Sequence, residues 1–261
     1  MIKTNFHTHT KRCQHAGGED IEYIQEAINA GFTTLGFSDH APYPDDRFGL
    51  RMKYSELDEY IKTMKKLKEQ FKNQIQLRIG LEIEYDSRKS AYYEQLINEK
   101  GIDYLVLGQH IYVSDQKKYI NTYFLENTIQ YIEYAKSIEQ ALATGYFAFV
   151  AHPDLMFLNN MEWDNNCEQA SNIIIEAANR YQTPLEFNAN GLRRGVQEYI
   201  DGMRYPYPHF KFWKLVADKQ IPVLINSDAH HPSNINDEYV SNASQMAINL
   251  NLNIISDYQY S

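Results

Sequence analysis

The sequence predicts an α/β fold on a parallel sheet, with residues 1–261 as a single domain. Three observations carry that prediction. Seven short β-rich runs alternate with amphipathic stretches of helical period, which favours strand-helix units and a parallel sheet. The runs are apolar on consecutive residues, as in Leu105-Val106-Leu107 and Val223-Leu224-Ile225, which suits strands covered on both faces. The length of 261 residues, 43% hydrophobic and 23% charged, supports one substantial core and is short for several large domains. A barrel and a doubly wound sheet both satisfy these patterns.

The first strand is expected over residues 2–6 and the first helix over 20–30, closed by Gly31 as its C-terminal cap. Further strands fall at 33–37, 75–83, 104–107, 147–151, 185–187 and 222–225. Helices fall at 55–71, 91–98, 125–143, 164–180, 210–219 and 242–249. Segments 42–51 and 191–209 are left as long polar and aromatic loops, placed to touch a substrate.

With 25 Lys+Arg against 34 Asp+Glu, the formal charge of -9 repels phosphate backbones and anionic membranes, so neither nucleic acid nor a membrane surface is expected as a partner. No apolar run approaches the roughly 20 residues of a spanning helix, and the first residues lack a signal-peptide pattern. Cys13 and Cys167 are too few for a disulfide framework, so a cytoplasmic address is expected. The 21 tyrosines suit either a self-association surface or barrel-helix packing, and no oligomeric state follows from them.

Nine histidines are present, and seven of them (His7, His9, His15, His40, His110, His152 and His230) lie at or just after the C-terminal end of an expected strand. In a parallel barrel those loops open on one face, so the seven converge. Asp39, Glu82, Asp154 and Asp228 follow the same rule. Imidazole and carboxylate are ligands that zinc, iron and manganese accept, and so many titratable groups together imply a multinuclear metal site. A lone histidine is more often a hydrogen-bonded core or surface group; the joint placement is what points to metal. His7 and His9 alternate, so they share a face; so do Glu82 and Glu84, and periodicity does not choose between those two. Asp39 and Asp154 suit positions behind a ligating imidazole, and Cys13 reads as a small buried thiol. Arg193 and Arg194 are placed to clamp a phosphate, and Arg51 has the same role with less support. His209 could reach a substrate from the second loop.

His7-Thr8-His9-Thr10, Cys13-Gln14-His15-Ala16, Ser38-Asp39-His40-Ala41-Pro42, Gly80-Leu81-Glu82, Gly108-Gln109-His110, Ala151-His152-Pro153-Asp154 and Asn226-Ser227-Asp228-Ala229-His230 occur in that order. Together they resemble the motif series of the polymerase and histidinol phosphatase (PHP) family, over residues 5 to about 232. The resemblance implies a distorted seven-stranded (β/α)7 TIM-like barrel holding three divalent ions of zinc, iron or manganese. It assigns His7, His9, Glu82 and Asp228 to one ion, Glu82, His110 and His152 to a second, and His15, His40 and His230 to a third. Leu185-Glu186-Phe187-Asn188 leading into Gly191-Leu192-Arg193 is similar to the histidinol-phosphate phosphatases of this family, in which the arginine would hold phosphate. The chain departs from them in Arg194-Gly195, in the aromatic stretch 199–213 and in lacking an arginine soon after Asp154.

The implied reaction is hydrolysis of a small phosphate monoester, with cations activating a bridging water, Arg193 binding non-transferred oxygens and Asp154 able to protonate the leaving group. For a histidinol leaving group, Asp39, Glu84, Tyr43 and the 205–207 loop could supply acceptors and stacking surface. Two other readings remain: a phosphoesterase acting on another small ester, a nucleotide or a phosphodiester, and a non-catalytic domain that binds metal or phosphate esters. A broken ligand set would mark the last of these, and the expected ligands are all present.

Overall fold

The computed structural model describes residues 2–256 and 258. It begins with strand β1 (Thr4–Asn5), helix α1 (Asp20–Asn29), β2 (Thr34–Phe37), α2 (Leu57–Phe71), β3 (Gln76–Ile83) and α3 (Ser90–Gln95), which runs on through a π turn at Leu96–Lys100. Strand β4 (Tyr104–Leu107) is followed by a hairpin of β5 (Ile111–Val113) and β6 (Tyr119–Asn121), then α4 (Ile129–Leu142), β7 (Phe147–Val150), α5 (Asn165–Tyr181) and β8 (Leu185–Asn188). A short α6 (Asn190–Arg193) and a second hairpin, β9 (Gln197–Tyr199) with β10 (Gly202–Arg204), occupy the segment expected to be a loop. The chain ends with α7 (Phe210–Asp218), β11 (Pro222–Asn226), α8 (Glu238–Asn249) and β12 (Asn253–Ile254).

Eight strands form one curled parallel sheet in the order β1-β2-β3-β4-β7-β8-β11-β12. The expected count of seven is therefore corrected to eight: β12 is a two-residue strand pairing with Pro222 and Val223 of β11. So short a run carries too little pattern to be read from sequence. Beyond β1, Thr8 bridges Ala229 in parallel, bringing the first strand against the continuation of β11.

Side-chain alternation divides the sheet into an outer and an inner face. Leu105, Leu107, Val223 and Ile225 pack outward into the main core with the helices, where α2 presents Leu57, Tyr60, Ile61, Met64, Leu67 and Phe71 at helical spacing. Phe6, Tyr104, Val106, Phe149, Ala151 and Leu224 form a separate inner cluster. Tyr104 fills the space between β2 and β3: a Cβ on Gly36 would lie 2.2 Å from its hydroxyl oxygen and one on Gly80 2.3 Å from its ring, so those positions favour glycine. The inner apolar plug leaves the C-terminal ends of the strands as the place where inward side chains can be polar. No helix among the described residues is long and apolar enough to cross a membrane.

Candidate metal centre

Glu82, near the end of β3, lies at the middle of the site and is almost wholly buried. Gly108 makes its place, since a Cβ there would stand 2.1 Å from Glu82 Oε1. The two carboxylate oxygens face different partners. Oε2 lies 3.3 Å from Nε2 of His7, 3.3 Å from Nε2 of His9 and 3.0 Å from Nδ1 of His40. Oε1 lies 3.0 Å from Nε2 of His152 and 3.5 Å from Nε2 of His110. Asp228 Oδ1 closes the first group, 3.3 Å from His9 Nε2 and 3.6 Å from His7 Nε2. A third group stands beside these, with Nε2 of His15 2.9 Å from Nε2 of His230, and with His40, His9 and His230 close enough to share an ion.

Hydrogen bonds behind the ligands fix which atoms face inward. Glu186 on β8 is fully buried; its Oε1 accepts from His7 Nδ1 at 2.8 Å and Asn226 Nδ2 at 3.0 Å, and its Oε2 accepts from the His152 amide and Asn188 Nδ2. His15 Nδ1 donates to the Cys13 carbonyl and His230 Nδ1 to the Asp228 carbonyl. With Nδ1 protonated, each neutral ring turns a lone pair inward from Nε2, where two such atoms 2.9 Å apart can share a metal ion or a proton. Asn188 and Asn190 both donate to Asp228 Oδ2 and leave Oδ1 free. His152 and Asp228 hold positive φ values of 30° and 48°, a strain that turns both side chains at their strand ends.

The donor set fits divalent metal. Glu82 Oε2 and Asp228 Oδ1 are buried without a hydrogen-bond donor, and ligands about 2.0–2.2 Å from a tetrahedral ion stand about 3.3 Å apart, as these do. Electrostatics agree. Burial alone would raise Glu82, but His110, His7 and His40 hold its carboxyl well below the usual range. Burial pulls the His7 imidazole down, and Glu186, Asp228 and Glu82 outweigh it and drive it well above its ordinary value. So concentrated a group of carboxylates and imidazoles suits divalent cations.

A cleft of about 340 Å³ opens over these groups, bounded on its other side by Tyr123, Asn190, Arg193, Arg194 and Tyr207. A second chamber of about 610 Å³ adjoins it, walled by Phe48, Leu50, Ile111 and Phe124. The nine histidine and carboxylate positions expected as ligands are thus brought together, and Glu84 separates from Glu82: it pairs bidentately with Arg51 at 2.9 and 3.0 Å.

The substrate-facing expectations need revision. Arg193 borders the cleft, but its guanidinium is occupied by Asp237 at 2.7 and 3.1 Å and by the Asn234 and Ser227 carbonyls, tying α6 to the residue that caps α8. Arg194 instead lies over the rings of Tyr123 and Tyr207 at 5.8 and 5.5 Å and borders both cavities. Arg51 reaches the chamber wall already paired with Glu84. Asp39 is fully buried and accepts from the Thr10 amide and hydroxyl, so no substrate ammonium reaches it. Asp154 borders neither cavity; its Oδ2 accepts from the His209 amide at 2.6 Å and Trp213 Nε1 at 2.9 Å, and burial pushes its carboxyl up to about 6. His209 packs against both Phe157 and Trp163, away from the cleft. Glu186 and Tyr123 were not anticipated. The first had a signal, a carboxylate inside the apolar run 185–187; the second, one tyrosine among 21, had none.

With two imidazole-carboxylate groups and a third of imidazoles gathered near the C-terminal ends of a curled parallel sheet, the arrangement suits a metal-dependent enzyme. The PHP domain model matches residues 5–190, and the chain belongs to that family. It is 29% identical over 236 residues to the "Probable histidinol-phosphatase" of Deinococcus radiodurans, covering 88% of this chain and 86% of that one. It is 24% identical over 270 residues to the histidinol-phosphatase of Bacillus subtilis, covering 92% and 97%. Its fold matches the histidinol phosphate phosphatase of Lactococcus lactis, solved with zinc, L-histidinol and phosphate, at a TM-score of 0.71 and 17% identity, over 97% of this chain and 95% of that one.

Proposed function

We propose that residues 1–261 form one metal-dependent phosphomonoesterase domain that hydrolyses L-histidinol phosphate to L-histidinol and phosphate, a step of histidine biosynthesis, in the cytoplasm. The observation that carries the chemistry is the division of Glu82, whose two oxygens face separate imidazole groups. His7, His9, Glu82 and Asp228 would hold one cation, Glu82, His110 and His152 a second, and His15, His40 and His230 a third, with zinc, iron or manganese accepted by this ligand set. When bound, the cations lower the pKa of a water and draw charge from phosphoryl oxygens. The names of the relatives, matched over most of their lengths, support histidinol phosphate as the substrate.

Arg194, free of any carboxylate partner within hydrogen-bond reach among the described residues, binds the non-transferred phosphoryl oxygens in place of Arg193. The apolar chamber takes the organic part, with Phe48 and Tyr123 offering ring faces to an imidazole. Asn188 and Asn190 keep Asp228 turned inward, and Glu186 keeps His7 in its ligating tautomer.

Phosphate release from metal-loaded protein, measured across histidinol phosphate, other monoesters, nucleotides and a phosphodiester with a chelated control, tests the reading. Chelator-sensitive preference for histidinol phosphate is the expected result. Slow, even release from many esters would remove the substrate assignment, and no release with metals bound would remove the catalytic one.

A further inference from the structure

Among the described residues, the cleft and the chamber share five lining residues: His15, His40, His110, Tyr123 and Arg194. A phosphate monoester bound as proposed above puts its phosphoryl group in the cleft and its organic part in the chamber. The ester oxygen joining them then falls at the boundary, within reach of those five side chains. Three are imidazoles of the metal centre, and a guanidinium does not release its proton near neutral pH. The fifth is a phenol. We infer that the Tyr123 hydroxyl is the proton donor to the ester oxygen as it leaves phosphorus, a role resting on the phosphomonoesterase reading.

The competing donors are placed elsewhere. Asp154 borders neither cavity and is held under His209 and Trp213. Tyr207 borders the cleft alone, which puts it beside the phosphoryl group rather than the ester oxygen. Tyr123 is fixed in orientation, with its ring parallel to His110 within 10° at a centroid separation of 6.1 Å. A phenol ordinarily titrates at about 10, so it carries its proton at neutral pH. The neighbouring guanidinium then stabilises the phenolate left behind.

In the step, a water oxygen bonds to phosphorus as the bond from phosphorus to the ester oxygen breaks. That bonding pair passes to the ester oxygen, which takes the Tyr123 proton and leaves as the alcohol. The phenolate takes back the proton lost by the attacking water, directly or through solvent. The products are the alcohol and hydrogen phosphate, and Tyr123 is restored.

An alkoxide leaves poorly without a proton, whereas 4-nitrophenolate leaves without one, so leaving-group dependence separates proton donation from mere binding. Wild type, Tyr123→Phe and Tyr207→Phe, each with measured metal content, are compared on histidinol phosphate and 4-nitrophenyl phosphate. Tyr123→Phe should lower kcat/KM about 100-fold on histidinol phosphate and less than about threefold on 4-nitrophenyl phosphate. Tyr207→Phe should lower both alike. Equal losses on both esters in Tyr123→Phe, no loss on either, or leaving-group dependence appearing in Tyr207→Phe would overturn the assignment. The wild type alone gives a second reading should Tyr123→Phe not fold: kcat/KM across phosphates of increasingly basic leaving groups should stay nearly flat, and a steep fall would overturn the proposal. Wild type active on neither ester would instead remove the phosphomonoesterase reading, and the proposal with it.

Discussion

The floor of the cleft and the walls of the chamber beside it are built on different principles. Floor ligands stand on strand ends and are held from behind, His7 by Glu186, His15 and His230 by backbone carbonyls, Asp228 by two asparagines. Chamber walls come from segment 42–51 and from the turn after β6, where Leu50 is 60% and Phe124 77% exposed. Asp46, Phe48 and Leu50 all hold positive φ, and the segment is tied to β6 by Arg47, which donates to Tyr119, itself donating to Asp86. Strand ends fix the chemistry, and loops with contacts distant in sequence fix what reaches it.

Removing the shared ligand should break the floor most severely. Glu82→Gln takes one anionic oxygen from two groups at once, so two ions should be lost by elemental analysis. Turnover should fall below about one-thousandth of wild type, a barrier increase of about 4 kcal/mol. Full metal content with near-normal turnover would show that another group joins the sites. Glu186→Gln acts one contact further back. It loses the carboxylate that holds His7 Nδ1–H, and metal affinity in competition with a chelator should drop about 10- to 100-fold while the fold is kept.

The adjacent arginines sharpen the contrast between floor and wall. Arg194→Ala should raise KM for a phosphate ester roughly tenfold with melting temperature unchanged, since the side chain borders the cleft without a carboxylate partner among the described residues. Arg193→Ala should leave KM nearly constant and cost about 2 kcal/mol in urea unfolding, because Asp237 loses its partner while still capping α8. The reverse pattern would return the phosphate contact to Arg193.

The same contrast governs how much was legible in the sequence. All seven expected strands are present because apolar runs between turn residues report burial directly, and the ligands follow from strand ends on one face. Glu82 and Glu84 share a face by periodicity, and only Arg51, 33 residues from Glu84, decides that Glu84 is neutralised. Arg193 and Arg194 are neighbours in sequence, yet Asp237, 44 residues further on, takes the first. The β5-β6 and β9-β10 hairpins have three-residue strands, too short for alternation to register, and the first of them lines the chamber through Ile111 and Asn121. What escaped sequence reading was pairing across the chain.

His209 gives the smallest effect at neutral pH and separates wall from floor by titration. Burial and the nearby Arg204 lower its imidazole from 6.5 to about 4, against the pull of Asp201. Between those values the unfolded chain holds a proton that the folded chain lacks, so stability rises with pH through this window and is lost as pH falls toward 4. His209→Phe keeps an aromatic ring against Phe157 and Trp163 and removes the proton difference. Urea unfolding of both proteins at pH 4.5 and pH 7 should therefore show the stability gap between the two conditions shrinking by up to about 2 kcal/mol in the variant. Turnover at pH 7 should stay close to wild type, because His209 touches neither cavity. An unchanged gap would mean that acid lability belongs to the floor histidines, whose protonation competes with metal, and that His209 titrates as an ordinary imidazole.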